Sequence, residues 1–314
     1  MHEFRNASSV LIGTHLNPDG DALGSALAAS LFLDGLGVAN EVLCHHAPPK
    51  NMEFLPGISR VRQRPKEEKH DLALILDLES LERLGSTEPY FVECPRMVVI
   101  DHHLPHHSPG DLRLVDTSAA ATAAILGRLL LASGEKITPE IATCLLTGIV
   151  TDTGSFRFRN TNSEALSLAA SLLEVGGNIN LISEEVFQKR PYSSVRLYGH
   201  MLDTMSMEAN NQLCYSRIHF EDFQVTGATD EDTEGFVNEL LSIDTVQIAF
   251  LAREAKPGKI RVSMRSRNNY DVAKVAQEFG GGGHRNAAGC TFEDSMEDAV
   301  AQLVPRLKAC LASS

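Results

Sequence analysis

SSVLIGTHLNPDGDALGS, residues 8–25, joins an apolar run to a helical pattern through a polar turn. It opens as a short apolar run that reads as a strand. From Asp21 it passes into a small-residue pattern, ALGSALAASLFLDGLG at 22–37, which predicts a helix ending near Gly35 or Gly37. Between the two lies a turn in which Pro18 and Gly20 favour a tight, fixed loop, and that loop carries His15, Asp19 and Asp21.

The pattern repeats downstream. NEVLCHH (40–46), DLALILDL (71–78) and RMVVIDHH (96–103) read as further strands. An Ala-rich helix around 118–133 and a helix from about Pro139 follow. The run CLLTGIVTDTG (144–154) fits strand or helix. Continuous apolar strands alternating with helices predict an α/β domain with a mainly parallel sheet covered on both faces. In such sheets ligands sit beyond the carboxyl ends of the strands. His15 onward, Asp77 and Asp101–His103 all fall there.

The rest of the chain follows a different order. Residues 186–207 are mostly helical and interrupted by Pro191, which suggests a linker between a domain at 1–185 and a smaller α/β, mixed-sheet domain at 208–314. In that second domain QLCYSRIHF (212–220) reads as a strand. TDEDTEGFVNELLS (229–242) reads as a helix, and VQIAFLAREAKPGKIRVSMRS (246–266) as a hairpin turning at Lys256–Lys259. A helix from Asp271, a glycine loop and a last amphipathic helix from about Ser295 complete it.

Composition narrows the function. The chain has 314 residues, 43% hydrophobic and 22% charged, enough to bury ordinary cores. No run approaches eighteen apolar residues and the N-terminus has no apolar signal core, so a cytoplasmic protein without membrane association is expected. Six cysteines are scattered without a CxxC pair, which argues against a disulfide framework and against structural zinc. A net charge of −13 argues against coating long nucleic acid. It is compatible with a short anionic substrate held by bound cations and a few arginines.

The chemistry concentrates in the strand-end clusters. His15, Asp19 and Asp21 offer an imidazole and two carboxylates that can face two neighbouring cations. The plain alternative makes Asp19 a helix N-cap and Asp21 a first-turn acid. Asp101-His102-His103 ends an apolar strand with three potential ligands or acid–base groups. Such mixed nitrogen and oxygen donors suit Mn²⁺, with Mg²⁺, Co²⁺ or Fe²⁺ also accommodated. Asp77 and Asp152 are further carboxylates at element ends, each with an ordinary reading as a capping or turn residue. His45, His46, His106 and His107 lack the strand-end pattern and read as surface histidines.

At this point a family resemblance enters. HLNPDGDALGS, LDLESLERLG, IDHH and VTDTGSFRF are similar to the four motifs of the DHH phosphoesterases, and GGGGHRNAAG (280–289) resembles the signature of their DHH-associated C-terminal domain. The resemblance spans nearly the whole chain, in order. It implies that His15, Asp19 and Asp77 hold one metal, and that Asp21, Asp77, His102 and Asp152 hold the other, with Asp77 shared. It also implies that Asp101 orients the histidine pair and that His103 faces the scissile phosphate. Two cations about 3.5–4 Å apart acidify a water and neutralise phosphate oxygens. The resemblance further implies substrate contacts by Arg265, Ser266, Gly281, Gly282, Gly283, His284 and Arg285, which would measure and orient a nucleotide. From the residues alone, the glycine run is a flexible turn or a set of amides near an anion, and Arg265 and Arg267 share one strand face. Arg157 and Arg159 read as solvated.

Length and motifs most resemble the branch of the family that acts as bifunctional oligoribonuclease and 3′-phosphoadenosine 5′-phosphate (PAP) phosphatase. The expectation is hydrolysis of very short RNA to 5′-mononucleotides and of PAP to AMP, by a chain that could form a homodimer. Alternatives are a cyclic or linear dinucleotide phosphodiesterase, an exopolyphosphatase- or pyrophosphatase-like enzyme, and a non-catalytic nucleotide sensor. The sensor would be marked by lost metal ligands, and every expected position is intact.

Overall fold

The computed structural model describes residues 1–67, 69–103 and 110–312. His106 and His107 lie outside the described residues. The chain forms two compact units, Met1–Lys189 and Arg190–Ser314. The division falls inside the segment expected as a linker. The helix expected there, Tyr192–Asp203, buries Leu197 and Met201 in the core of the second unit.

In the first unit the elements run α1 (His2–Asn6), β1 (Ser9–Gly13), α2 (Gly20–Gly35), β2 (Ala39–Leu43), β3 (Val61–Arg62) and β4 (Leu72–Leu76). They continue with α3 (Glu88–Val92), β5 (Met97–Asp101), β6 (Leu112–Val115), α4 (Thr122–Leu131), α5 (Pro139–Asp152), α6 (Ser163–Glu174) and α7 (Ile179–Ser183). The sheet is parallel throughout, in the order β3-β2-β1-β4-β5-β6. Side chains alternate between two cores, as a strand period of two requires. Val10, Ile12, Leu72, Leu74, Leu76, Val98 and Ile100 pack with α2, α4 and α5. Leu11, Ala73, Ile75 and Val99 pack on the other side with Leu84 and Phe91. Both faces are covered, so the strands read as unbroken apolar runs.

The strand order reverses between β1 and β4. In doubly wound sheets ligands bind beyond the carboxyl ends at such a switch point. The turn after β1 carries His15–Asp21, and Asp77 directly follows β4.

The run at 144–154 resolves as helix: α5 reaches Asp152. Strands β3 and β6 are sheet-edge elements that the periodicity did not reveal. Helices α2 and α5 approach closely because glycines stand at their contact. A Cβ at Gly24 would lie 2.4 Å from the Cys144 carbonyl oxygen, and one at Gly148 would lie 2.7 Å from the Asp21 carboxylate. This contact sets the carboxyl end of α5 beside the amino end of α2, and so Asp152 near Asp21.

The second unit comprises α8 (Tyr192–Asp203), β7 (Ser206–Glu208), β8 (Leu213–Ile218), α9 (Phe220–Thr226), α10 (Phe236–Ser242), β9 (Ile248–Lys256) and β10 (Lys259–Ser266). It ends with α11 (Val272–Glu278), β11 (Gly282–His284), β12 (Ala287–Phe292) and α12 (Met296–Ala312). Its mixed sheet has the order β11-β12-β10-β9-β8-β7, with β8 and β9 parallel and the expected hairpin forming β9 and β10. Phe250, Val262 and Met264 pack on one face with α11 and α12. Cys214, Ala249 and Leu251 pack on the other with α8 to α10. On that second face β10 carries Arg261, Ser263 and Arg265, where apolar residues would otherwise alternate. No single helix among the described residues is long and apolar enough to cross a membrane.

Candidate functional site

Asp77 is the centre of the first unit's polar cluster. It is buried and sits at φ 59°, a left-handed conformation uncommon for a residue with a side chain. Its amide donates to the Ile100 carbonyl at 3.1 Å, which ties this turn to β5. Its two oxygens face different partners. Oδ2 lies 3.4 Å from His15 Nε2, while Oδ1 lies 3.6 Å from His102 Nε2 and 3.5 Å from His103 Nδ1.

Around Asp77 the donors form distinct groups. His15, Asp19 and Asp77 converge, with His15 Nε2 3.8 Å from Asp19 Oδ2. Asp21, His102 and Asp152 also converge, at 3.9 Å and 3.8 Å from His102 Nε2. Asp77 groups with His102 and His103 as well. Donor atoms bound to one cation at about 2.1 Å stand about 3.0–3.4 Å apart, so these groups need close only slightly.

The backbone aims both imidazoles. His15 Nδ1 donates to the Leu16 carbonyl at 2.8 Å, and His102 Nδ1 to the Ala119 carbonyl at 3.3 Å. Each bond fixes the tautomer that turns an unprotonated Nε2 toward the carboxylates. Asp19 takes the capping role read from the sequence and also turns an oxygen toward His15. Its Oδ1 caps α2 by accepting the amides of Asp21 and Ala22 at 3.1 Å, and its Oδ2 faces His15. Asp21 accepts the amides of Thr122 and Ala123 at the start of α4, at 2.7 and 2.8 Å.

His103, although it groups with Asp77 and His102, differs from the other two histidines by its bond to Asp101. Its ring Nδ1 donates to Asp101 Oδ1 at 2.8 Å and its amide donates to the same oxygen at 3.2 Å. Burial opposes its charge, but that hydrogen bond and the nearby Asp77 and Glu79 carboxylates raise its pKa to about 9. The aspartate thus orients and charges His103.

Electrostatically the cluster holds more negative charge than its histidines balance. Burial, then repulsion from Asp77, Asp152 and Asp19, pushes Asp21 well above the usual carboxylate range. Asp152 rises to about 7, through burial first and then its carboxylate neighbours, against the opposing pull of His102. Asp77 is held below the usual range: the His15 hydrogen bond and the surrounding imidazoles outweigh its burial. Among the described residues, the buried Glu79 Oε2 and Thr14 Oγ1 atoms have no hydrogen-bond partner. Oxygen-rich donors, inward imidazole nitrogens and surplus charge fit divalent cations.

Several contributors escaped the sequence reading. Thr122 Oγ1 donates to Asp77 Oδ1 at 2.9 Å. Asn160 Nδ2 donates to the Asp152 side chain at 3.2 Å and to its carbonyl at 3.0 Å. Arg83 pairs with Glu79 at 2.7 Å. His45 and His46 are more than solvated surface groups: His45 Nδ1 accepts the Ser86 amide and His46 Nδ1 accepts the Asn17 amide. They tie two site loops to the end of β2. No motif marks Thr122, Asn160, His45 or His46, whose partners stand 8 to 45 positions away, whereas Arg83 and Glu79 lie four apart inside LDLESLERLG.

In the second unit the register aligns Arg265 with Ala287, and Ala287 with His284, so Arg265 and His284 stand in one row and face one side. The glycine run divides in two. Gly280, at φ 71°, and Gly281 close α11: the Gly281 amide bonds the Ala276 carbonyl and the Gly280 amide bonds the Gln277 carbonyl. The Gly281 amide is therefore occupied and does not serve an anion. Gly282 and Gly283 belong to strand β11. The Ser266 hydroxyl bonds the Tyr270 carbonyl and Asn286, and Arg285 bonds the Asn269 carbonyl, so both brace the loop at 266–270. Arg157 donates to the Gly154 carbonyl.

Comparison with known proteins gives the lineage. The DHH family, N-terminal domain, matches residues 9–149, and the DHHA1 domain matches residues 210–313. The bifunctional oligoribonuclease and PAP phosphatase NrnA of Thermus thermophilus is 36% identical over 287 residues, covering 90% of this chain and 84% of that protein. The chain belongs to the DHH family. It is a hydrolase of phosphoester bonds. The crystal structure of an exopolyphosphatase-related protein from Bacteroides fragilis superposes with a TM-score of 0.93 at 30% identity, covering 98% and 94% of the two chains. RecJ of Thermus thermophilus, solved in complex with Mn²⁺, shares the fold at a TM-score of 0.57 and 14% identity, covering 100% of this chain and 53% of that one.

Proposed function

We propose that this DHH enzyme hydrolyses very short RNA to 5′-mononucleotides and PAP to AMP, using two divalent cations, Mn²⁺ foremost. The observation that carries the two-cation reading is Asp77, which offers one oxygen to the His15 group and the other to the His102 group. The substrate class is supported by the relative from Thermus thermophilus, which bears that name.

His15, Asp19 and Asp77 would hold one cation, and Asp21, Asp77, His102 and Asp152 the other. When bound, such a pair supplies positive charge to the phosphoryl oxygens and acidifies the attacking water. The protein's own groups do the rest. The Leu16 and Ala119 carbonyls keep the two imidazoles turned inward. Asp101 holds the Nδ1 proton of His103, so Nε2 bears the other proton of the imidazolium and can donate it to a phosphoryl oxygen or to the leaving alkoxide. Thr122 and Asn160 hold the carboxylates at their working angles. In the second unit, Arg265 and His284 would contact the nucleotide, with Gly282 and Gly283 beside them and Ser266 and Arg285 bracing the neighbouring loop.

A substrate panel tests this reading: Mn²⁺-dependent turnover of pGpG, a five-nucleotide RNA, PAP, pyrophosphate and polyphosphate. Short RNA and PAP are expected to lead. Preference for pyrophosphate or polyphosphate would overturn the nucleotide assignment and favour the activity suggested by the name of the Bacteroides fragilis protein. Tight nucleotide binding without turnover would indicate a sensor.

A further inference from the structure

The second unit contains a polar cavity of about 350 Å³ whose lining includes Arg253, Arg261, Ser263, Gly280, Gly281 and Thr291. It lies along β10 from Arg265, and none of its arginines figures in the chemistry described above. Arg253 is its main cation, with a side chain only 14% exposed. Its Nε donates to Asp230 at 2.5 Å and its Nη1 to the Ser263 hydroxyl at 2.8 Å. Its Nη2 amino group has no acceptor among the described residues. Arg261 pairs with the second oxygen of Asp230. Two guanidinium groups thus share one carboxylate, which leaves a net positive charge.

Arg265 adds to that surplus. Among the described residues its guanidinium makes one hydrogen bond, to the Met264 carbonyl at 3.0 Å, and no ion pair. Burial, and then the like charge of Arg253, lower its pKa, while Glu234 offsets part of the effect. Two half-satisfied arginines that repel each other favour an anion more than either would alone. The cavity floor is bare backbone: a Cβ at Gly281 would lie 2.1 Å from the Gly289 carbonyl oxygen, so no side chain can fill the space.

We propose that this cavity is a phosphate site, in which Arg253, with Arg261 and Ser263, takes a phosphate group other than the one held by Arg265. The inference rests on the nucleotide reading above and extends it. Residues 261, 263 and 265 point to one face of β10 at steps of about 7 Å. Phosphates of a short chain laid along this strand would meet Arg265, then the Arg253–Ser263 pair, then Arg261. The phosphate belongs either to a longer substrate or to a free nucleotide. A purely structural role, tying the Asp230–Thr233 turn to the sheet, accounts for the Asp230 bonds. It leaves unexplained the Nη2 donors and the open volume in front of them.

The test is calorimetric titration of full-length protein, stripped of metal with EDTA, with inorganic phosphate and with AMP. Arg253→Gln is expected to weaken both by at least about tenfold, and Ser263→Ala by about threefold. A folded Arg253→Gln protein, with native melting behaviour, that binds both within about twofold of the parent would overturn the proposal. If that variant does not fold, Arg261→Gln decides in its place, with an expected loss of about fivefold. Turnover with Mn²⁺ then separates the two sources. A fall in the kcat/KM ratio of tri- over dinucleotide in Arg253→Gln assigns the phosphate to the substrate chain, and an unchanged ratio assigns it to a free nucleotide. Should the parent protein hydrolyse no short RNA, the nucleotide reading fails, while the phosphate titration still decides the site.

Discussion

The carboxylate–histidine cluster of the first unit and the basic face of the second solve opposite electrostatic problems by different means. In the first, carboxylates from the start of α2, the turn after β4 and the end of α5 are drawn together until burial and repulsion raise Asp21 and Asp152. Backbone carbonyls and amides fix nearly every group in place. In the second, arginines on the paired strands β9 and β10 share one face and carry donors without an acceptor among the described residues. The first region is organised to hold cations at fixed points. The second is organised to accept anions along a line. Convergence specifies the chemistry, whereas the linear spacing governs how much of a substrate is gripped.

The sharpest way to break this comparison is Asp77→Ala. If one carboxylate serves both cations, turnover should fall by at least about a thousandfold, beyond the 10–100-fold typical of outer-shell losses. Near-native activity at saturating Mn²⁺ would remove Asp77 from the shared position. Next in size are Asn160→Ala and Thr122→Val, which keep every ligand and lose its support. Each should raise the Mn²⁺ concentration for half-maximal activity by about 10–100-fold. An unchanged metal requirement with reduced kcat would instead place these residues in contact with the reacting groups.

The two regions also differed in how far the sequence revealed them. The residues of the cluster were legible because each stands at an element end, where apolar periodicity stops: His15 after β1, Asp77 after β4, His102 after β5. The parallel sheet was legible for the same reason. The short edge strands β3 and β6 were not, since two to four half-exposed residues carry no periodic signal. Asp152 could be picked out while its element could not, because a helix buried on most sides reads like a buried strand. Supporting residues such as Thr122, Asn160 and His46 act across 8 to 45 positions of chain, which local pattern cannot bridge. The glycine run proved to have two parts. Its first two residues are a helix ending, and the same glycines also line the arginine-bearing cavity.

Arg265→Ala sharpens the second half of the comparison. A half-buried guanidinium held by one neutral hydrogen bond should contribute mainly to binding. KM for short RNA and PAP should rise about tenfold while a small generic phosphodiester changes little. An equal fall in kcat on both kinds of substrate would move Arg265 from the gripping region into the chemistry.

The smallest effect expected is on stability, and it tests whether the first region is strained without its cations. In metal-free protein, Asp152 titrates near 7 when folded against 3.8 for the ordinary carboxyl, and Asp21 shifts in the same direction. A carboxyl whose folded pKa is raised binds its proton more tightly in the native state. The stability these two carboxyls contribute is therefore greatest at acidic pH and declines as pH rises from about 4 to about 7. Bound cations compensate the same charges, and they compete with protons for the same oxygens. The gain in Tm on adding Mn²⁺ should therefore widen between pH 5 and pH 7.5, by on the order of a few degrees. Asp152→Asn should flatten the pH dependence of the metal-free protein, because the amide has no proton to lose. A metal-free Tm that rises steadily across this window would show that repulsion between these carboxylates does not govern the cluster.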